Sequence, residues 1–124
     1  MKEIIVTKNA PSAIGPYSQG IKAGGLVFVS GQLPMDPGTG QFPDTIKEQT
    51  RQALENAKAS LAEKGYGLDT VVKTTVYLQS IQDFGAMNEV YAQYFKEECP
   101  ARAAFEVAKL PLGAKVEIEM IAYK

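Results

Sequence analysis

Pro100-Ala101-Arg102-Ala103-Ala104-Phe105-Glu106-Val107, followed by Leu110-Pro111 and then Lys115-Val116-Glu117-Ile118-Glu119, is the stretch on which the reading of this chain turns. Its β-type alternation predicts two strands, Ala101 to Ala108 and Ala114 to Tyr123. They flank Lys109-Leu110-Pro111-Leu112-Gly113, a connection short enough for an antiparallel pair. Alternation puts Arg102, Ala104 and Glu106 on one face of the first strand, and Glu117, Glu119 and Ile121 on one face of the second. Symmetry about Pro111 then sets Arg102 across from the region Glu117 to Met120. Two readings fit that placement. Arg102 pairs with Glu117 or Glu119 as an ordinary cross-strand ion pair, or the two strands share a cleft. In a cleft, the planar fork of Arg102 would receive a small carboxylate, and Glu117 would manage a proton or a water.

Toward the amino terminus, Val71 to Gln79 is β-branched and aromatic with no turn residue inside it, which predicts another strand. Phe84, Met87, Tyr91, Tyr94 and Phe95 recur at helical steps and predict a helix from about Asp83 to Lys96. A longer helix, Thr45 to Lys64, is predicted from the stripe Ile46, Thr50, Ala53, Leu54, Ala57 and Leu61. Thr45 and Glu48 form a capping box at its start, and Gly65 suits a left-handed residue at its end. Ile4 to Thr7, Tyr17 to Lys22 and Leu26 to Ser30 read as strands, the last two joined by a hairpin at Ala23-Gly24-Gly25. Asp36-Pro37-Gly38 reads as a tight surface turn. The predicted order is β-β-β-α-β-α-β-β: an α+β fold with a mixed sheet of about six strands, two helices on one face, and a parallel crossover after the first hairpin.

Leu26-Val27-Phe28-Val29 and Val76-Tyr77-Leu78 put apolar side chains on both faces of their strands, whereas two helices cover only one. Burial of the second face against further copies of the chain is the economical solution, so a homo-oligomer is expected.

Composition narrows the function. At 124 residues, with 45% hydrophobic and 22% charged residues and a formal charge of -1, the chain matches one ordinary globular domain, residues 1–124. The balanced charge lacks the clustered Lys/Arg footprint of a phosphate-backbone binder, so nucleic acid is a poor fit. No run approaches a membrane span, and Met1 to Ala10 reads as a strand and not as a signal peptide. A single cysteine, Cys99, forms no internal disulfide, which favours the cytoplasm. The chain has no histidine, which excludes a Ser-His-Asp triad, a Cys-His pair, His-assisted RNA cleavage and His-based metal sites. Proton chemistry falls to Glu, Asp, Tyr, Lys or water, and no metal or cofactor is expected.

Taken singly, the remaining motifs read plainly. Gly15-Pro16-Tyr17-Ser18-Gln19-Gly20 is a loop entering a strand, and Ser30-Gly31-Gln32 is a strand ending in a turn. A hydroxyl beside a residue without Cβ would also let donors approach a ligand closely. Asn88 reads as a solvated helix residue, and Cys99 as a small, semi-buried residue at a helix end.

In order along the chain, however, GPYSQG, VFVSGQLP, VVKTTVYL, PARAAFEVAKLP and VEIEMIA resemble the signature of the RidA/YjgF family of reactive-imine deaminases, also described as L-PSP endoribonuclease-like. The resemblance covers nearly the whole chain. It implies a chorismate mutase-like, trimeric architecture. It also implies that Arg102 binds the substrate carboxylate, that Glu117 positions or activates the hydrolytic water, and that Tyr17 and Ser30 line the same pocket. Gly31, Ala104 and Asn88 complete the expected substrate-binding set. Many family members carry Ser or Thr and then Cys after the Pro-x-Arg motif, where this chain has Ala103 and Ala104. A backbone role survives that change and a thiol role does not.

The activity so implied is that of a cofactor-independent 2-iminobutanoate/2-iminopropanoate deaminase, which hydrolyses imines released by pyridoxal-phosphate dehydratases to 2-keto acids and ammonia. A non-catalytic carboxylate-binding or chaperone-like regulator would use Arg102 equally well. It would gain nothing from a second negative charge at Glu117. An endoribonuclease is disfavoured by the missing histidine and basic stripe, and a chorismate mutase by too few cations for a dicarboxylate.

Overall fold

The computed structural model describes residues 1–124. Six strands form one sheet: β1 (Lys2–Ile5), β2 (Gly20–Ala23), β3 (Leu26–Gln32), β4 (Val71–Leu78), β5 (Ala101–Glu106) and β6 (Val116–Tyr123). Two helices, α1 (Ile46–Ala62) and α2 (Phe84–Tyr94), complete the α+β fold in the expected order. Spatially the strands run β1-β2-β3-β6-β4-β5, with β5 parallel to β4 and every other pairing antiparallel.

The local signals formed as read. Ala23 faces Leu26 across the hairpin, with Gly24 at φ 60°. Asp36 Oδ1 accepts from the backbone N–H groups of Gly38 and Thr39 at 2.7 and 3.2 Å and closes the expected turn. The Thr45 side chain accepts from the Glu48 N–H at 3.1 Å and caps α1, and Gly65 takes φ 76° beyond its end. Thr50, Ala53, Leu54, Ala57 and Leu61 are all fully buried, as their stripe required. The first two strands are displaced, however, from Ile4–Thr7 to Lys2–Ile5 and from Tyr17–Lys22 to Gly20–Ala23. Gln19 explains this. Its buried amide accepts from the Thr7 N–H at 2.8 Å and donates to the carbonyls of Thr7, Ala10 and Pro11, so the chain on either side is held as loop.

The principal correction concerns β5 and β6, which are not partners. Leu78 at the end of β4 registers with Glu106 on one side and with Val116 on the other. The connection after β5 therefore steps over the end of one strand. It passes through a tight turn at Pro111–Ala114, closed by the Ala114 N–H donating to the Pro111 carbonyl at 3.1 Å with Leu112 and Gly113 both at positive φ, and deposits β6 on the far side of β4. Such a step spans about 10 Å, two inter-strand spacings. Burial accounts for the choice: Val116, Ile118, Met120 and Ala122 are all buried, and only a central strand beneath the helices can bury all four. The crossover β3-α1-β4 does join parallel strands, with β6 between them.

Val27, Val29, Val76, Leu78 and the four β6 residues face α1 and α2 and form the core with them. The other face is open. Across it runs the cross-strand row Ile4, Ile21, Phe28 and Ile121, while Leu26, Phe28, Phe105 and Tyr123 are exposed large apolar side chains. No helix is long and apolar enough to cross a membrane.

Candidate active site

A hollow of about 500 Å³ opens on the helix-free side of the sheet, where β3, β6 and the loop before β2 meet. Tyr17, Ser30, Gly31 and Glu117 line it together. A β-bulge makes this possible. Val29 registers with Met120 and Gln32 with Ile118, so Ser30 and Gly31 together face Glu119 alone. Bulges re-aim side chains and recur beside active sites. Here the bulge carries β3 on to Gln32, past the turn expected at Ser30-Gly31-Gln32. Ser30 Oγ donates to the Ser18 carbonyl at 2.6 Å, and its N–H donates to the Gln19 carbonyl at 3.0 Å, which ties β3 to the tyrosine loop. Tyr17 is half exposed at the rim. Gly31 lies against the Glu117 carboxylate so closely that a Cβ would overlap it.

Glu117 is only partly exposed on β6, and its pKa is raised above the usual carboxylate value. Burial is the larger cause and the neighbouring Glu119 the second. This sets the sign of a stability effect. With the folded-state pKa above the unfolded one, the charge penalty is absent below the unfolded value and is fully present once pH has risen through the folded value. Glu117→Gln is therefore expected to raise stability slightly at pH 7, the gain being small because solvent screens a half-buried group. The gain should vanish in acid, as thermal melts at pH 7 and pH 4 would show.

Arg102 is elsewhere. On β5 it registers with Thr74, not with Glu117 to Met120, and its side chain points to the helix side of the sheet. Its guanidinium donates to Asn88 Oδ1 of α2 at 2.6 Å and lies 4.7 Å from the Tyr91 ring centroid and 5.5 Å from that of Phe84. The cross-strand ion pair is thus not formed, and neither is a cleft shared by Arg102 and Glu117 within one chain. Ala104 follows Arg102 on the same side and packs against the core. Asn88 is exposed to solvent beside the guanidinium, and Cys99 is exposed and not semi-buried. The expected residues accordingly form two groups: Tyr17, Ser30, Gly31 and Glu117 on one face, and Arg102, Asn88 and Ala104 on the other.

No lysine or arginine lines the hollow, which holds two carboxylates, Glu117 and Glu119. No three His, Cys, Asp or Glu side chains converge where they could hold a metal ion. Two residues of the site escape a motif-based reading. Glu119 shares a face with Glu117 by simple alternation, a signal visible in the sequence. Gln19, which shapes the wall at Pro11, carries no local signal, because its partners Thr7 and Ala10 lie about ten residues away.

Comparison with known proteins agrees with this architecture. Residues 7–124 match the family model described as Endoribonuclease L-PSP. A RutC family protein of Pyrococcus horikoshii is 58% identical over 125 residues, covering 100% of this chain and 99% of that protein. The 2-iminobutanoate/2-iminopropanoate deaminase of Mus musculus is 46% identical, covering 98% of this chain and 91% of the mouse protein. The crystal structure of E. coli TdcF with bound serine superposes with a TM-score of 0.96 at 44% identity, covering 98% of each chain. With one fold, one motif order and full-length similarity in hand, the chain belongs to the Endoribonuclease L-PSP family, that of the RidA/YjgF reactive-intermediate deaminases.

Proposed function

We propose that this protein is a cofactor-independent 2-iminobutanoate/2-iminopropanoate deaminase of the reducing cytoplasm, working as a homotrimer in which Arg102 of one subunit completes the hollow of the next. The observation that carries this reading is the division of the site. One chain offers a hollow with a basic carboxylate and no cation, and, on its other side, an arginine with no anion. Either half alone is a poor site for an imino acid, which has a carboxylate at one end and a positively charged C=NH₂⁺ group beside it. The open apolar row Ile4, Ile21, Phe28 and Ile121 supports burial against further copies. The deaminase name of the mouse relative and the serine in the E. coli relative support a small amino-acid-derived ligand.

In this reading the Arg102 fork holds the substrate carboxylate through paired charge-assisted bonds. Glu117 orients a water and takes its proton as the water oxygen bonds to the iminium carbon and the C=N electron pair moves to nitrogen. The product is a neutral carbinolamine facing a protonated Glu117. Glu117 then returns the proton to nitrogen and the C–N bond breaks. The hydroxyl proton leaves with ammonia as ammonium, and the 2-keto acid remains. Tyr17 and Ser30 supply hydrogen bonds to the nitrogen or the water, and the backbone of Ala104 supplies polar groups from the Arg102 side. An iminium carbon is already electrophilic, so orientation and a proton relay suffice, and Glu117 distinguishes this reading from a carboxylate-binding regulator.

The test is a coupled assay in which a serine or threonine dehydratase generates 2-aminoacrylate or its homologue afresh. Added protein is expected to accelerate release of ammonia and keto acid well above the rate in water. Release at the water rate, with tight binding of small carboxylates, would instead favour the regulator.

A further inference from the structure

Two acidic side chains and one phenol lie together on the open face of the sheet, and so far only Glu117 has a role. Glu119, two residues further along β6, returns to the same face and lines the same hollow. Tyr77 on β4 is the register partner of Glu117, and its hydroxyl reaches diagonally to donate to Glu119 Oε1 at 2.7 Å. Phe105 of β5 holds the Tyr77 ring from the far side, edge to face at 5.5 Å. The Glu119 carboxylate is thereby drawn back along β6 toward Glu117 instead of turning freely into solvent.

The rest of the surroundings leave this negative charge uncompensated. No lysine or arginine forms an ion pair with either glutamate. Around Glu117 the titratable groups are Glu119 on its own strand, Tyr77 on β4 and Tyr17 on the loop before β2, while β3 brings only Ser30 and Gly31. Lys73, the cation on this side of β4, registers with Ile121, four residues further along β6.

We propose that Glu119, tethered by Tyr77, is a positioning residue that sets the basicity of Glu117, an assignment whose catalytic meaning rests on the deaminase reading above. A fixed negative charge beside a carboxylate makes that carboxylate bind a proton more tightly, which brings a base of the glutamate type closer to the working pH. The direction of the Glu117 shift agrees, with Glu119 its second cause after burial. Tyr77 suits the tether because its own pKa is pushed up to about 12, chiefly by the bond to Glu119, so the phenol remains a donor throughout the physiological range.

Carbon-13 labelling of the glutamate carboxyls allows Glu117 to be titrated directly, with Glu117→Gln identifying its resonance. In Glu119→Gln the Glu117 midpoint is expected to fall. In Tyr77→Phe, which keeps the ring against Phe105, the fall should be smaller but in the same direction. The acid limb of kcat/KM against pH should move down with the midpoint, and the plateau rate should drop several-fold, a pattern that a merely structural role would not produce. A Glu117 midpoint that stays put in both variants overturns the proposal, whatever the activity. If the midpoint moves and the wild-type protein hydrolyses no imine, the charge coupling stands and the deaminase reading is what fails.

Discussion

Arg102→Ala is expected to lower imine hydrolysis by about 10² to 10⁴ if Arg102 holds the substrate carboxylate as proposed, since two charge-assisted bonds amount to about 3 to 6 kcal/mol. Arg102→Lys should recover only part of this, because a point charge lacks the paired geometry of the fork. The more discriminating form of the experiment uses two inactive proteins. Arg102→Ala chains retain the hollow with Glu117, and Glu117→Gln chains retain the arginine. If each working site draws its halves from different subunits, dissociating and reassembling an equal mixture restores activity. A random assembly gives each site an intact Glu117 half the time and an intact Arg102 half the time, so about one quarter of wild-type activity should return. Sites contained within single chains would recover none. Arg102→Ala also removes the contacts to Asn88, Phe84 and Tyr91, so a melting curve should accompany the assay. The loss of stability should stay near 1 kcal/mol, far below the loss of activity.

Gly31→Ala should be nearly as damaging to turnover while sparing the fold. The added Cβ would overlap a carboxylate oxygen of Glu117, and its next nearest neighbours are Cδ and Cγ of the same side chain, at 3.0 and 3.3 Å. No backbone atom is struck. The end of a flexible side chain gives way, so the thermal midpoint should change little, but Glu117, the proposed base, is driven from its position. Displacement of a catalytic group by about 1 Å costs on the order of 10² in rate. Single-turnover hydrolysis should therefore slow by about that factor, with binding of a non-reactive carboxylate largely retained at the Arg102 side. Normal turnover in Gly31→Ala would show that Glu117 does not act from the position it holds against β3.

Much of the molecule was legible in the sequence because its signals are local. The α1 stripe, the Thr45 cap and the Gly24-Gly25 hairpin each depend on residues within one or two turns of chain, and all formed where read. The apolar residues on both faces of β3 likewise foretold an uncovered sheet face, which the exposed Leu26 and Phe28 now define. The largest error, the pairing of β5 with β6, arises because strand pairing is non-local. Nothing within residues 107–115 distinguishes a connection that doubles back from one that steps over β4. The outcome was decided by competition for the central, doubly flanked position beneath the helices, which β6 won with four buried side chains.

The same division runs through the site. Residue types and motif order by themselves determined which side chains are available to the proposed chemistry: an arginine, a glutamate, two hydroxyls and no histidine. Alternation alone also placed Glu119 beside Glu117. Only the tertiary structure decided that Glu117 lies on the open face and Arg102 on the helix face, because the central strand β6 buries Val116, Ile118, Met120 and Ala122 beneath the helices, while the edge strand β5 buries no residue and leaves room for Arg102 beside α2. Side-chain direction follows from burial, and burial is a property of the assembled sheet and not of either strand.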